Sequence, residues 1–228
     1  SILTSIETVY GGGNAATVPE TNVTVYGAYE IYNVFGGGNG KDKLMSGADN
    51  PGANVTHDAR ALMIGGRIHK AFGASNTKGN IGGSIYLDAG VGGECDLDIG
   101  EMVGAGKDAD IDGDVILVLG CMPDSKIESV YAGANDANVN GNVEMTVTSG
   151  TFGKVFGGNN LGGIINGHII LNIEETGCRP IIIDELYGCG NMASYSTYGY
   201  YVKTTTSEGE SASGTGDPSE TAILTDDE

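Results

Sequence analysis

Tryptophan is absent, lysine and arginine together number only 11, and the 228-residue chain holds no run of about 18 apolar residues. The missing apolar run excludes a membrane-spanning helix. The shortage of basic residues, against 30 acidic ones and a net charge of −19, excludes a nucleic-acid partner, because phosphate contacts need a basic surface. Anionic membranes are poor partners for the same reason. Four cysteines (Cys95, Cys121, Cys178 and Cys189) are too few for a disulfide scaffold and follow no zinc-ligand spacing. A helix-length apolar period with caps is missing as well. The chain opens SILTSIETVY, with neither Met nor a signal peptide, and reads as a mature fragment or a piece of a longer protein.

What is abundant is glycine, 40 residues of it, beside a 39% apolar content too high for a flexible linker. The glycines sit in a recurring phrase. VYGGGN occupies 9–14, VFGGGN 34–39, AFGASN 71–76, VYAGAN 130–135, VFGGNN 155–160 and LYGCGN 186–191, with a degenerate MVGAGK at 102–107. The second residue of each phrase falls at 10, 35, 72, 103, 131, 156 and 187, giving intervals of 25, 37, 31, 28, 25 and 31. A base period of 25 with insertions is the mark of stacked repeats.

Strand-like segments precede the phrases: TNVTVYG (21–27), GSIYLDAG (83–90), GDVILVLG (113–120), GNVEMTVTSG (141–150) and GHIILNIEETG (167–177). Shorter apolar elements come earlier still, in ADID, ANVN and GIIN. Two or three short strands per 25 residues match one coil of a parallel β-helix; a propeller blade would need about 40 residues and four strands. The expectation is an all-β parallel β-helix of about seven coils over 1–191, with an insertion loop at 40–66. A Tyr-rich then acidic segment, 192–228, would cap it or begin a further coil. In such a coil the phrase glycines supply positive φ where the chain turns between faces and let stacked backbones approach closely. The phrase-ending Asn14, Asn39, Asn76, Asn135, Asn160 and Asn191 tolerate left-handed backbone and can hydrogen-bond as a ladder, with Lys107 in the remaining coil. The aromatics Tyr10, Phe35, Phe72, Tyr131, Phe156 and Tyr187 would stack likewise, as packing rather than a sugar-binding strip.

These tandem phrases, alternating with GNVEMTV-type strands, resemble the Gly-rich repeats of large surface proteins of gut anaerobes, across 1–191. The resemblance implies a right-handed parallel β-helix and a secreted or cell-surface location. It implies no catalytic residues.

Chemistry concentrates in KDADIDGDV, 107–115, where Asp108, Asp110, Asp112 and Asp114 form a D-x-D-x-D-G pattern. Oxygen-rich loops of this kind suit Ca²⁺. It is not an EF-hand, since Leu119 stands where a bidentate Glu is required. The competing reading is a polar turn face, because the segment aligns with NDANVNGNV at 135–143. Lys107 beside these aspartates is also the one cluster with the ingredients of a polysaccharide lyase or hydrolase. His57, Asp58 and Arg60 lie together in the longest interval without a nucleophile motif, and His69 and His168 read as structural. Cys95 and Cys121 occupy equivalent turns within disulfide reach, Cys178 reads as free, and Cys189 as buried. The first functional expectation is a non-catalytic stalk or adhesive segment that contacts glycans or matrix and continues into further coils. A glycan-cleaving enzyme and a calcium-stabilised carbohydrate-binding module are the alternatives.

Overall fold

A computed structural model describes residues 3–40, 52–90, 97–121, 125–176 and 178–195, together with the strands 202–206 and 209–213. The described residues contain strands and turns but no helix. Two units are distinguished, 1–195 and 196–228. The second contains an antiparallel pair, β14 (Val202–Thr206) and β15 (Gly209–Ser213).

The first unit is a β-solenoid of about six turns. One sheet has seven parallel strands in sequential order: β1 (Ser5–Tyr10), β3 (Glu30–Phe35), β5 (Gly66–Phe72), β7 (Leu97–Val103), β9 (Lys126–Tyr131), β11 (Gly150–Phe156) and β13 (Ile181–Tyr187). The other has six: β2 (Thr21–Val25), β4 (Ala59–Met63), β6 (Ile85–Ala89), β8 (Val115–Leu119), β10 (Val143–Val147) and β12 (Ile169–Ile173). A third face is reduced to single bridges, Val18–Val55–Ile81 and Ile111–Val139–Ile165–Tyr195. The short apolar elements of the sequence are these bridges.

The six-stranded sheet follows the alternation of its residues. Strands β2, β4, β6, β8 and β10 bury their first, third and fifth side chains and leave the second and fourth facing out. Burying one face of every strand fixes the register, since a one-residue slip would turn each apolar set outward. In the seven-stranded sheet, Val34, Ala71, Met102, Val130 and Val155 share one register position and are completely buried. The adjacent position points to the other side of the sheet and forms a second cluster: Phe35, Phe72, Val103, Tyr131 and Phe156, with Tyr10 against it. Rings of neighbouring coils stack there, with centroids 5.2 Å apart for Tyr10–Phe35 and 4.6 Å for Phe35–Phe72. The stack resumes beyond Val103 with Tyr131–Phe156 at 5.1 Å and Phe156–Tyr187 at 4.7 Å. The aromatics are packing, in a column of their own beside the central core.

Two expectations are corrected here. Most of the 40–66 interval is solenoid: Val55 is a bridge, and Ala59, Ala61 and Met63 line the core from β4. Only 41–51 lie outside the described residues in that interval, which is about the excess of the 37-residue interval over the base period of 25. ARALM escaped notice because alanine and methionine lack the β-branched signature of a strand. Second, none of the described phrase glycines has positive φ, and no described non-glycine residue does. Positive φ falls instead at corners such as Gly40, Gly66 and Gly150. The phrase glycines serve close approach: a Cβ on Gly36 would meet the carbonyl oxygen of Gly73 in the next coil.

Candidate functional site

The phrase is a hydrogen-bonded ladder. Gly11 donates its N–H to Phe35 O at 2.9 Å, Gly36 to Phe72 O at 2.9 Å, Gly73 to Val103 O at 3.0 Å and Gly104 to Tyr131 O at 2.8 Å. Beside it the side-chain amides form a second ladder. Asn39 Nδ2 donates to Asn14 Oδ1 at 2.7 Å, and Asn76 Nδ2 to Asn39 Oδ1 at 2.9 Å. After Lys107 interrupts, Asn160 Nδ2 donates to Asn135 Oδ1 and Asn191 Nδ2 to Asn160 Oδ1, both at 3.0 Å. Every bond in the column runs from a later coil to an earlier one. The ladder therefore has polarity, with an amide oxygen facing onward at Asn191.

Two residues that sequence reasoning passed over do related work inside. Ser75 and Asn159 occupy the fifth phrase position, where the other coils have glycine or alanine. The Ser75 hydroxyl accepts from Gly38 N–H at 3.1 Å. Asn159 Oδ1 accepts from Ala134 N–H at 2.7 Å, while its Nδ2 donates to Ala137 O at 2.9 Å. Both residues are buried. A polar residue at an otherwise Gly/Ala position was the signal available.

The aspartates of 108–114 are part of the same system on the exposed third face. Asp110 Oδ1 accepts from the Asn138 N–H at 2.7 Å, and Asp114 Oδ1 from the Asn142 N–H at 2.7 Å. The next coil repeats the arrangement with amides, Asn138 Oδ1 accepting from Ile164 N–H and Asn142 Oδ1 from His168 N–H, each at 2.9 Å. Asp112 accepts side-chain amide protons from Asn80 and, at 2.8 Å, from Asn140. Asp108 is paired with Lys107 at 3.0 Å. Among the described residues no group of three or more carboxylates, imidazoles or thiols is placed to hold a metal ion. Of the residues expected to hold Ca²⁺, Asp108, Asp110, Asp112 and Asp114 point outward in a row at alternate positions, and Asp110, Asp112 and Asp114 each accept N–H groups one coil away. Lys107, held by Asp108, is likewise engaged.

This arrangement makes a direct prediction. Asp114→Asn keeps an oxygen for Asn142 and should leave stability within about 0.5 kcal/mol, whereas Asp114→Ala should cost about 1 kcal/mol. Thermal melts with and without chelator should superimpose for all three proteins. A chelator-induced drop in melting temperature, lost in Asp114→Asn, would favour the calcium reading.

The remaining candidates separate. Asp58 Oδ1 accepts from Ser84 N–H at 3.0 Å and its other oxygen pairs with Arg60 at 2.9 Å. His57 instead turns toward Pro19 O, 3.1 Å from Nδ1. His69, on the outer face of β5, is 2.9 Å from Glu30 and stacks on Tyr32 with centroids 4.6 Å apart. The hydrogen bond from His69 holds the Glu30 carboxyl below its ordinary value, and the Glu30 charge raises Tyr32. His168 contributes the backbone N–H described above.

The cysteine expectations are corrected. Cys121 is bonded to Cys178, with Cα atoms 5.8 Å apart. Cys178 is not free, and Cys95 lies outside the described residues. The link passes over a coil whose own connection, 148–149, is only two residues long. Cys189 is exposed rather than buried, because the described solenoid sets no further coil against it.

One outward-facing groove is not explained by stacking. It crosses β2, β4 and β6 and is lined by Asn22, Thr24, Arg60, Leu62, Tyr86 and Asp88, with Ala61 at its floor, enclosing about 210 Å³. Strand register sets Asn22, Arg60 and Tyr86 in one row and Thr24, Leu62 and Asp88 in the next. The Arg60 guanidinium lies 3.9 Å from the Tyr86 ring centroid. Asp88 is half-buried between Leu62 and Val118, and burial raises its carboxyl above the ordinary value although Arg60 pulls the other way.

No protein family, curated protein or solved structure matches the chain.

Proposed function

We propose that this chain is a non-catalytic structural segment, a stiff solenoid stalk within a larger secreted or cell-surface protein, whose two ends continue into further coils. The observation that carries the reading is the end rung β13, which no described strand covers. Leu186 occupies the register position of Val34, Ala71, Met102, Val130 and Val155; those five are 0% exposed and Leu186 is 46% exposed. Ile173, Glu175, Pro180, Ile181, Ile183 and Leu186 line an open, largely apolar recess of about 530 Å³ at that end. Core-type residues in an uncovered end rung belong to a repeat array that goes on, because each coil buries its apolar face only against a neighbour. The engagement of the 107–114 side chains in coil-to-coil bonds favours scaffold over catalyst. The repeat resemblance supplies the extracellular setting.

The edge strands β1 and β13 each leave a row of backbone groups open to pairing with another chain. The isolated chain should associate end to end, and sedimentation velocity should show the average sedimentation coefficient rising with concentration. Leu186→Asp should keep the circular dichroism spectrum and remove the concentration dependence. A native chain that stays monomeric at its highest soluble concentration would count against continuation at this end.

A further inference from the structure

We propose that the groove across β2, β4 and β6 is a binding site for a neutral saccharide, held through vicinal hydroxyl groups on Asp88. Asp88 is partly buried in the groove, and no hydrogen-bond donor of the described residues reaches its carboxylate. Water is then its partner, and a ligand that displaces that water must bring donors of its own. Arg60 is the cation at hand, but its guanidinium is held by Asp58 at 2.9 Å and laid against Tyr86. Asp88 is therefore an acceptor open to a ligand that brings donors.

Charge narrows the chemistry. Asp58 and Arg60 offset one another, so an anionic ligand would meet the unpaired Asp88 charge on a chain of net charge −19. A cation would be drawn to Asp88 but finds no second carboxylate in the lining to complete a site. A neutral ligand rich in hydroxyls needs neither a counter-charge nor a second carboxylate. Its O–H groups can donate to both Asp88 oxygens, while the Asn22 amide and the Thr24 hydroxyl both donate and accept. Leu62 and Tyr86 line the groove and supply apolar surface for the C–H face of a sugar ring. Three strands at about 4.8 Å spacing give a footprint for a short stretch of polymer rather than a deep pocket. The sheet beneath is rigid, since β4 is hydrogen-bonded on both sides. The site goes beyond the stalk reading and does not depend on it.

The test uses the full chain on an array of neutral and uronic-acid or sulfated oligosaccharides, followed by titration calorimetry with the neutral oligosaccharide that gives the strongest signal. Native protein should bind neutral glycans in preference to acidic ones. Asp88→Ala should weaken binding by about 10- to 100-fold, the range for losing hydrogen bonds to a charged group. Asp88→Asn, which keeps the volume and one acceptor, should weaken it less, and Asp110→Asn on the third face should leave it unchanged. Unchanged melting curves would show that the variants fold. No binding to any neutral glycan, preference for acidic ones, or equal affinity in native and Asp88→Ala would overturn the assignment.

Discussion

Asn159→Ala should destabilise the solenoid by about 3 kcal/mol, because it strips partners from two buried backbone groups at about 1–3 kcal/mol each. The side chain sits 1% exposed between the coil that carries Ala134 and its own turn. Without it, the Ala134 N–H loses its acceptor and the Ala137 carbonyl loses its donor. Alanine leaves space without supplying either, and the site is too enclosed for solvent to replace both bonds. The neighbouring Asn160→Ala is the contrast. Its amide belongs to the side-chain ladder, bonded to Asn135 and Asn191 at 3.0 Å each, but lies at the part-buried margin. Its loss should cost about 1 kcal/mol. Urea unfolding of the two variants checks the difference. Equal destabilisation would mean that the interior amide carries no special load.

Gly36→Ala is expected to cost a similar amount, about 3 kcal/mol, at the upper end of the usual range for overpacking. The added methyl would meet the carbonyl oxygen of Gly73 and approach the Ala61 Cβ at 3.3 Å. Gly73 cannot step aside, because its own N–H is bonded to Val103 O at 3.0 Å and Gly36 is bonded to Phe72 O at 2.9 Å. Relief would require opening the ladder across two coils. Gly27→Ala is the control: nothing lies within 4 Å of its added Cβ. Comparable urea midpoints for the two substitutions would contradict the close-approach account of the phrase.

The repeat architecture was legible in the chain because it is periodic. The phrase, the strands of 83–90, 113–120, 141–150 and 167–177, and the bridge residues Ile111, Val139 and Ile165 all carry local signals, and all take the places expected. The asparagine column was legible for the same reason. Strand β4 was not, since its inward residues are two alanines and a methionine, chosen by the space left inside the coil rather than by strand preference. The phrase glycines are required by close approach and not by positive φ. Positive φ and close approach leave the same letter in a sequence, and only the stacked backbone distinguishes them. Asp110, Asp112 and Asp114 show a related ambiguity. A carboxylate that accepts an N–H one coil away and one that binds calcium obey the same spacing, and the coil-to-coil bonds are visible only when Asn138, Asn140 and Asn142 are set beside them. The Cys121–Cys178 link skips a coil, which no counting of adjacent repeats suggests. The Asp88 groove draws on residues from 22 to 88, brought together only by the register of three strands.

The central claim is that the glycine phrases are rungs of a rigid stack. Residue-resolved amide hydrogen exchange tests it most directly, at Gly36, Gly73, Gly104, Ala132 and Gly157, whose N–H groups donate to the next coil at 2.8–3.0 Å. The account predicts that these amides exchange as slowly as those of the core strands on either side. Exchange at the rate of an open glycine linker, with the flanking strands still protected, would contradict it.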